Sequence, residues 1–192
     1  MKQILSLLVV AFLSVNTFAQ TTTTWKADPA HTQVFFNITH LGIADIKGNF
    51  NEFESSIVAA KDDFSDAKYA ITIQVPSINT GIEMRDDHLR SADFFDAEKY
   101  PTMTFKSTSS KKVSDKKYKV TGDLTFHGVT KPITLDVTHR GTIDHPQNGK
   151  TISGFTISGI VKRSDYKLGP DFPEAVLSDD VKIEVNGEFI KQ

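Results

Sequence analysis

Apolar and polar residues alternate along several stretches of the chain. From Tyr69 to Val75, for example, apolar residues occupy every second position, and Ala70, Thr72 and Gln74 stand between them. Successive side chains of a β-strand point to opposite faces, so this pattern predicts a strand with one dry and one wet face. The alternation, together with shorter stretches of the same character, predicts strands at Val34–Ile38, Ile46–Ile57, Tyr69–Val75, Thr102–Thr108, Tyr118–Phe126, Ile133–Val137, Thr151–Lys162 and Val181–Val185.

Clusters of Gly, Pro, Asn and Asp separate the predicted strands, as in His127–Pro132 and Asp144–Gly149. About eight antiparallel strands can close into a barrel that fills itself or holds one small ligand, and two stacked sheets would form a sandwich instead. Each strand and its turn take about 22 residues here, well above the roughly 8 to 12 typical of compact sandwiches. We therefore expect an all-β fold with a single antiparallel β-barrel.

One stretch departs from the period of two. The residues from Ile82 to Ala92 are typical of a helix, in which Asp86 and Arg90 would pair at i, i+4 in the favourable order. Pro101 and the residue before it then stop any helix. A short helical insertion in a β-barrel is suited to cover one end of it as a lid.

The composition excludes several classes of function. The 192 residues include 22 Lys and Arg against 24 Asp and Glu, a net charge of -2, which argues against a nucleic-acid partner because such proteins need a strongly basic face. The lack of cysteine excludes disulfides, thiol catalysis and thiolate metal sites. The 14 phenylalanines, against 4 tyrosines, indicate a large apolar interior because Phe carries no polar group.

The N-terminus has the parts of a cleavable signal peptide. Lys2 precedes the uncharged stretch Ile4–Val15, and Thr17 and Ala19 are small residues just before a predicted cleavage site. A spanning helix would need about 20 apolar residues, so stable membrane insertion is not expected. We predict a signal peptide over residues 1–19, a mature domain over 20–192 that begins with a short flexible leader at 21–24, and a periplasmic or secreted location.

Short motifs follow one another in order along nearly the whole predicted mature chain. They are Asp28–Thr32, Val34–Phe36, His40–Gly42, Gly48–Phe50, Ser77–Thr80, Arg85–Ser91, Asp93–Asp96, Tyr100–Pro101, Thr104–Phe105, Gly122–Pro132 and Arg163–Tyr166. In order and spacing they resemble the YceI-like family of exported lipid-binding proteins. Thr32 stands where Ser is usual in that pattern, and Lys167 stands where Gly is expected.

The resemblance implies a lipocalin-like barrel whose interior holds an extended amphiphile, such as a polyisoprenoid, an isoprenoid quinone or a fatty-acid derivative. If the strands close, their apolar faces point inward and line such a site, although the periodicity by itself favours a solid core. The predicted apolar ligand-binding residues are Phe36, Ile38, Ile71, Ile73, Phe94, Phe95, Phe105, Leu124, Phe126, Leu135, Phe155, Ile157 and Ile183.

The densest charged cluster runs from Arg85 to Arg90. Arg85 and His88 are candidates to bind the polar head of a ligand, because a charged donor forms strong hydrogen bonds to a quinone or phosphate oxygen. The alternative is a solvated helix face that carries an ion pair.

Motifs for other chemistry are missing: no two histidines are spaced as in HExxH, and neither a GxSxG elbow nor a phosphate-binding glycine loop occurs. We therefore expect a carrier or store of an amphiphilic lipid that is not an enzyme and needs no metal or cofactor. Two other functions stay open: an enzyme that modifies such a lipid with His88 or His127 and Asp86, and an empty barrel that acts as a stress or adhesion module. A homodimer is compatible with the sequence.

Overall fold

The computed structural model describes residues 21–192, so the predicted signal peptide lies outside the described residues. Within them the chain forms a strand-rich fold with one α-helix, α1 (Glu83–Arg90). The strands are β1 (Thr23–His40), β2 (Ala44–Phe50), β3 (Phe53–Ala59), β4 (Lys68–Gln74), β5 (Ile78–Asn79), β6 (Thr102–Ser114), β7 (Lys117–Phe126), β8 (Val129–Asp144), β9 (Thr151–Lys162) and β10 (Leu177–Lys191).

The strands form one antiparallel sheet in the order β10-β9-β8-β7-β6-β4-β3-β1-β2-β5, and β10 also pairs with β1. This last pairing closes the sheet into a barrel. β2 and β3 lie on the same side of β1, one above the other, since β2 pairs with residues 34–40 and β3 with residues 23–26. If β2 and β3 are counted as one strand and the two-residue β5 is left out, the barrel has eight strands around its circumference. The predicted single antiparallel barrel is confirmed.

The predicted strand Ile46–Ile57 is wrong in one respect, because Asn51 and Glu52 interrupt it between β2 and β3. β1 is irregular at the same level: Ala27 pairs with Phe189 of β10, but Thr32 pairs with Gly187, so residues 28–31 bulge from the sheet. A bulge removes pairing partners from the strand on its other side. The break thus depends on the neighbouring strand β1, so the alternation of apolar and polar residues within this segment does not predict it.

The predicted flexible leader at 21–24 is also wrong in part. Thr23 and Thr24 belong to β1 and pair with Ala59 and Val58 of β3. Threonine is β-branched and suits a strand, but two polar residues give no apolar alternation from which to predict one. β6 likewise continues through mostly exposed residues to Ser114, held by its pairing with β7.

The two ends of the barrel are closed differently. At the closed end, which carries the loops 60–67, 115–116 and 145–150, Phe64 inserts its ring and is only 2% exposed. It packs there against Trp25, His139 and Phe155 in a filled core. At the open end, the segment 75–101, which includes α1, and the segment 163–176 cover the barrel. Among residues 21–192, no helix has the length and apolar character needed to cross a membrane.

Candidate functional site

Beyond the filled core, the barrel encloses an apolar cavity of about 440 Å³. This volume falls within the roughly 300 to 1,000 Å³ typical of small-molecule sites. The inward faces of the strands line it, and the two covering segments complete it at the open end. The predicted residues that line the cavity are Phe36, Ile38, Ile71, Ile73, Arg85, His88, Phe94, Phe95, Phe105, Leu124, Phe126, Leu135, Ile157 and Ile183.

Phe155 is the exception, and its predicted place in the cavity is wrong. The residue is 1% exposed and its ring packs against Phe64, Tyr69, His139 and Phe189 at the closed end. It points into the barrel, as its alternation predicts. The barrel is filled at that level because the loop 60–67 inserts Phe64, a contact between distant parts of the chain.

A buried polar group accompanies these rings. The Nε2 atom of His139 lies 3.0 Å from Ser153 Oγ and 3.2 Å from Thr142 Oγ1, and Ser153 is fully buried. The His139 ring also stacks on Phe155, with the centroids 5.1 Å apart. Burial lowers the pKa of His139 below its ordinary value of 6.5, because the charged imidazolium is poorly solvated there. A neutral histidine therefore helps to seal the closed end.

The cavity reaches solvent at the open end. His40 and His88 both line it and are exposed to solvent, so they mark the opening. Ile73, Phe105 and Leu124, by contrast, line the cavity and are buried. The site thus combines a dry interior with polar side chains at its opening.

Arg85 is held at the opening by a small hydrogen-bond network. Its Nε donates to Thr80 Oγ1 (2.7 Å) and its Nη2 donates to the Thr80 carbonyl oxygen (2.9 Å). Asp86, which is buried, accepts hydrogen bonds from the backbone N–H and the hydroxyl of the same threonine. Thr80 therefore fixes both side chains, and Arg85 borders the cavity as a positioned cation.

The predicted pairing of Asp86 with Arg90 is wrong. Arg90 Nη2 donates instead to Asp87 Oδ1 at 2.6 Å, and Asp86 turns toward Thr80. The charged residues of this cluster lie on different faces of α1. Arg85 and His88 border the cavity, while Asp87 and Arg90 form an ion pair that does not line it.

The segment 163–176 contributes cavity residues that the sequence pattern did not reveal. Arg163 is buried and its guanidinium donates to the carbonyl oxygens of Leu168, Gly169, Phe172, Leu177 and Ser178. These bonds hold an irregular loop against the barrel, and Phe172 of that loop lines the cavity. Arg163–Tyr166 form a short 3-10 helix, but residues 167–176 form no helix or strand, so no periodicity identifies their inward side chains. The Arg163–Tyr166 motif is the one sequence feature that points to it.

The residues considered for an enzyme are not brought together as a catalytic pair. His88 Nε2 lies 3.4 Å from Asp93 Oδ2, and His127 Nδ1–H donates to the Tyr166 carbonyl oxygen at 2.9 Å. Asp86 is bonded to Thr80, as described above. Each group has another partner, so the structure does not bring either histidine together with Asp86 as the sequence hypothesis requires.

A separate cluster lies outside the cavity, at the β1 bulge. His31 Nδ1 is 2.8 Å from Asp28 Oδ2 and 3.9 Å from Glu188 Oε2. The hydrogen bond to the Asp28 carboxylate raises the pKa of His31. One imidazole nitrogen of His31 and one carboxylate oxygen each of Asp28 and Glu188 lie within 4.8 Å of one another. Asp28 also accepts a hydrogen bond from the backbone N–H of Ala30, so these contacts stabilise the bulge.

Most of the chain is similar to proteins of one known family. The model of the YceI-like domain matches residues 25–189. The chain belongs to the YceI-like family. A UPF0312 protein of Staphylococcus aureus (strain MSSA476) is 37% identical to this YceI-like chain over 173 residues, which cover 87% of the chain and 97% of that protein.

Solved structures agree with the barrel of this YceI-like protein. The YCEI protein of Campylobacter jejuni is 38% identical, with a TM-score of 0.72 over 81% of this chain and 90% of that one. A polyisoprenoid binding domain from Saccharophagus degradans has a TM-score of 0.64 over 90% of this chain and all of its own length. At 17% identity, the second likeness shows the fold alone.

The structure shows the surroundings of Thr32 and the backbone conformation of Lys167, the two residues that depart from the family pattern. Thr32 packs against Gly187, where a Cβ atom would lie 2.3 Å from Thr32 Oγ1. Lys167 has a φ of 59°, the left-handed conformation that favours glycine. The turn after Arg163 therefore keeps a geometry suited to glycine although lysine occupies it.

Proposed function

We propose that this YceI-like protein is an exported carrier or store of an amphiphilic lipid: a polyisoprenoid, an isoprenoid quinone or a fatty-acid derivative. The observation that carries the proposal is the apolar cavity of about 440 Å³ inside the barrel. The side chains of a small barrel are able to fill its interior completely. Here they do so only at the closed end, which leaves room for a ligand.

The distribution of polar groups supports an amphiphile rather than a wholly polar ligand. Each buried CH₂ of a ligand contributes roughly 0.8 kcal/mol, so a prenyl or acyl chain among Ile71, Ile73 and Phe105 needs no hydrogen bond to bind. Arg85 and His88 stand at the opening, where a polar head would meet them. The inserted Phe64 limits the depth of the cavity and hence the length of chain it accepts.

One structural neighbour supports the same class of ligand. The Saccharophagus degradans domain, which shares the fold, is described as polyisoprenoid binding. In the present chain the inward apolar faces and the two covering segments provide an apolar space for such a ligand.

Mass spectrometry of organic extracts from the purified protein tests the proposal. We expect one prenyl or acyl lipid, chemically unchanged after incubation with the protein. Leu135→Trp, which fills part of the cavity, should reduce the lipid recovered, and Ile143→Trp, exposed near the closed end, should not. An empty wild-type protein that also binds no added lipid would contradict a carrier, and a chemically altered lipid would indicate an enzyme.

Export is tested by the intact mass of the protein from the producing cell. We expect a chain that begins at Gln20, in the periplasm or the medium, because the apolar stretch and Ala19 favour cleavage there. A full-length mass in the membrane fraction would contradict both the processing and the location.

A further inference from the structure

Among the residues that the structure describes, four large aliphatic side chains are exposed in the β1–β2 turn and at the start of α1, at the open end of the barrel, and we call these four the aliphatic rim. Leu41 and Ile43, in the turn between β1 and β2, are 51% and 86% exposed. Ile82 and Met84, at the start of α1, are 53% and 83% exposed. Scattered exposed aliphatic residues are common, but a group around the opening of an apolar cavity calls for a physical explanation.

The topology brings the two parts of the aliphatic rim to the same edge of the opening. β5 runs antiparallel to β2 and pairs Asn79 with Asn49. The next residue, Thr80, lies close to Gly48: a Cβ atom added to Gly48 would be 2.9 Å from the methyl group of Thr80. The chain thus continues along β2 toward the β1–β2 turn before α1 begins. That turn is joined to the other covering segment, since Leu41 N–H donates to the Val176 carbonyl oxygen at 2.8 Å.

Local structure does not account for aliphatic residues at these positions. Leu41 has a φ of 52°, a left-handed conformation in which Gly, Asn and Asp are favoured. Ile82 is the N-cap of α1 and provides no side-chain hydrogen bond, although Ser, Thr, Asp and Asn are the residues that stabilise such a position. Polar residues would suit both positions better, so the fold itself does not explain these two aliphatic side chains.

The charges around the rim indicate what it contacts. Residues 80–101 contain six acidic and three basic side chains, of which Asp86 is buried, and Glu83 lies between Ile82 and Met84. Asp45, also exposed, follows the β1–β2 turn. A second copy docked through the same face would bring these carboxylates together, and an anionic surface would repel them. An uncharged bilayer surface accepts aliphatic side chains without that repulsion.

We propose that the aliphatic rim docks the open end of the barrel onto the surface of a neutral lipid bilayer. This inference rests on the proposed function, because a lipid ligand must pass between a bilayer and the cavity. Four side chains provide a shallow and reversible contact, as marginal apolar anchors do. Reversible contact suits a carrier that must leave the membrane with its ligand.

Flotation of the purified protein with phosphatidylcholine vesicles tests the rim. The double variant Ile43→Ser/Met84→Ser should lower the fraction that floats at least ten-fold and slow the uptake of a fluorescent isoprenoid from the vesicles. The matched control Val113→Ser/Ile143→Ser removes two aliphatic residues that are 61% and 60% exposed near the closed end. This control should behave like the wild-type protein.

Binding of the same isoprenoid, dispersed without vesicles, separates this proposal from the proposed function. We expect the rim variant to keep wild-type affinity in that assay. Equal flotation of rim variant, control and wild type would overturn the docking proposal while leaving the carrier function intact. Stronger flotation with phosphatidylglycerol vesicles, or a wild-type dimer that the rim variant loses, would overturn it in favour of an anionic surface or a second copy. Failure of the wild type to bind the isoprenoid in either assay would count against the carrier function itself.

Discussion

The rings of Phe94 and Phe172 lie with their centroids 5.0 Å apart and their planes inclined by 36°. Phe94 follows α1 and Phe172 belongs to the segment 163–176, so this contact joins the two segments that cover the cavity. Gly169 allows it, because a Cβ there would lie 2.6 Å from Phe94 Cε1. The closure of the open end thus depends on a contact between loops, and a ligand that leaves by this end must loosen it.

Phe172→Ala should therefore speed ligand release. An aromatic pair contributes about 0.5 to 1.5 kcal/mol beyond its buried area, so we expect release to be roughly two to ten times faster. The measurement is the exchange of a fluorescent isoprenoid, and Phe53→Ala, away from this contact, serves as the control. Unchanged release from a variant that folds normally would show that the ligand does not leave past Phe172.

Ile73→Asp tests whether the interior is a cavity. Water that enters an emptied cavity solvates the carboxylate, so this variant should fold and lose its lipid. Ile57→Asp is the matched case in the filled core, where Ile57 is 1% exposed, and it should fail to fold because an unpaired buried charge removes much of the roughly 5 to 15 kcal/mol of stability. Circular dichroism and lipid extraction on the same preparations distinguish the cases. A folded Ile73→Asp protein that retains all its lipid would contradict the claim that Ile73 points into the cavity and contacts the ligand.

Arg85→Ala should weaken the binding of a quinone-type lipid by about 1 to 3 kcal/mol, the contribution of a charge-assisted hydrogen bond. Binding of a lipid without a polar head should change little. Arg90→Ala, which removes a cation outside the cavity, is the control for charge. Equal loss for both ligands, or no loss for either, would count against contact between Arg85 and the head group.

Because His139 is buried, we expect the folded protein to be less stable at acidic pH. Burial lowers its folded-state pKa, so between that value and the ordinary 6.5 the unfolded chain binds more protons than the folded one. The contribution of this group is therefore complete above about pH 6.5 and is lost as the pH falls toward the folded-state pKa.

Urea unfolding from pH 7.5 to 5.5 in roughly half-unit steps measures the effect of His139 against His139→Gln, which cannot titrate. The free energy of unfolding should fall more steeply for the wild-type protein. His31, whose pKa is raised by Asp28, acts with the opposite sign and is present in both proteins, so the difference isolates His139. Parallel curves would contradict a buried neutral imidazole.

Lys167→Gly should stabilise the protein by about 1 kcal/mol. A left-handed φ costs a non-glycine residue about 1 to 2 kcal/mol, part of which the greater freedom of glycine in the unfolded chain offsets. Gly169→Ala, at a φ of 53° and with Phe94 in the way, should destabilise it. Urea midpoints compare the two, and a Lys167→Gly protein less stable than wild type would show that the lysine side chain makes a compensating contact.

The alternation predicted the strands and their inward faces because both are local properties of an extended chain. Ile71 and Ile73, for example, point into the barrel as their spacing requires. The strand limits were less predictable. Asn51 and Glu52 interrupt a strand because β1 bulges beside them, and Thr23 joins β1 because β3 is available to pair with it.

The sequence by itself determined an all-β chain with an apolar inner face, and its motifs indicated the family. Only the tertiary structure decided where that inner face encloses space. Phe155 and Ile157 have the same alternation, yet Ile157 lines the cavity and Phe155 lies in filled core. The difference arises because Phe64 enters from a distant loop at the level of Phe155, while loops pinned by Arg163 and Thr80 cover the other end. Such packing depends on contacts between remote residues, and a local pattern of apolar and polar positions does not contain them.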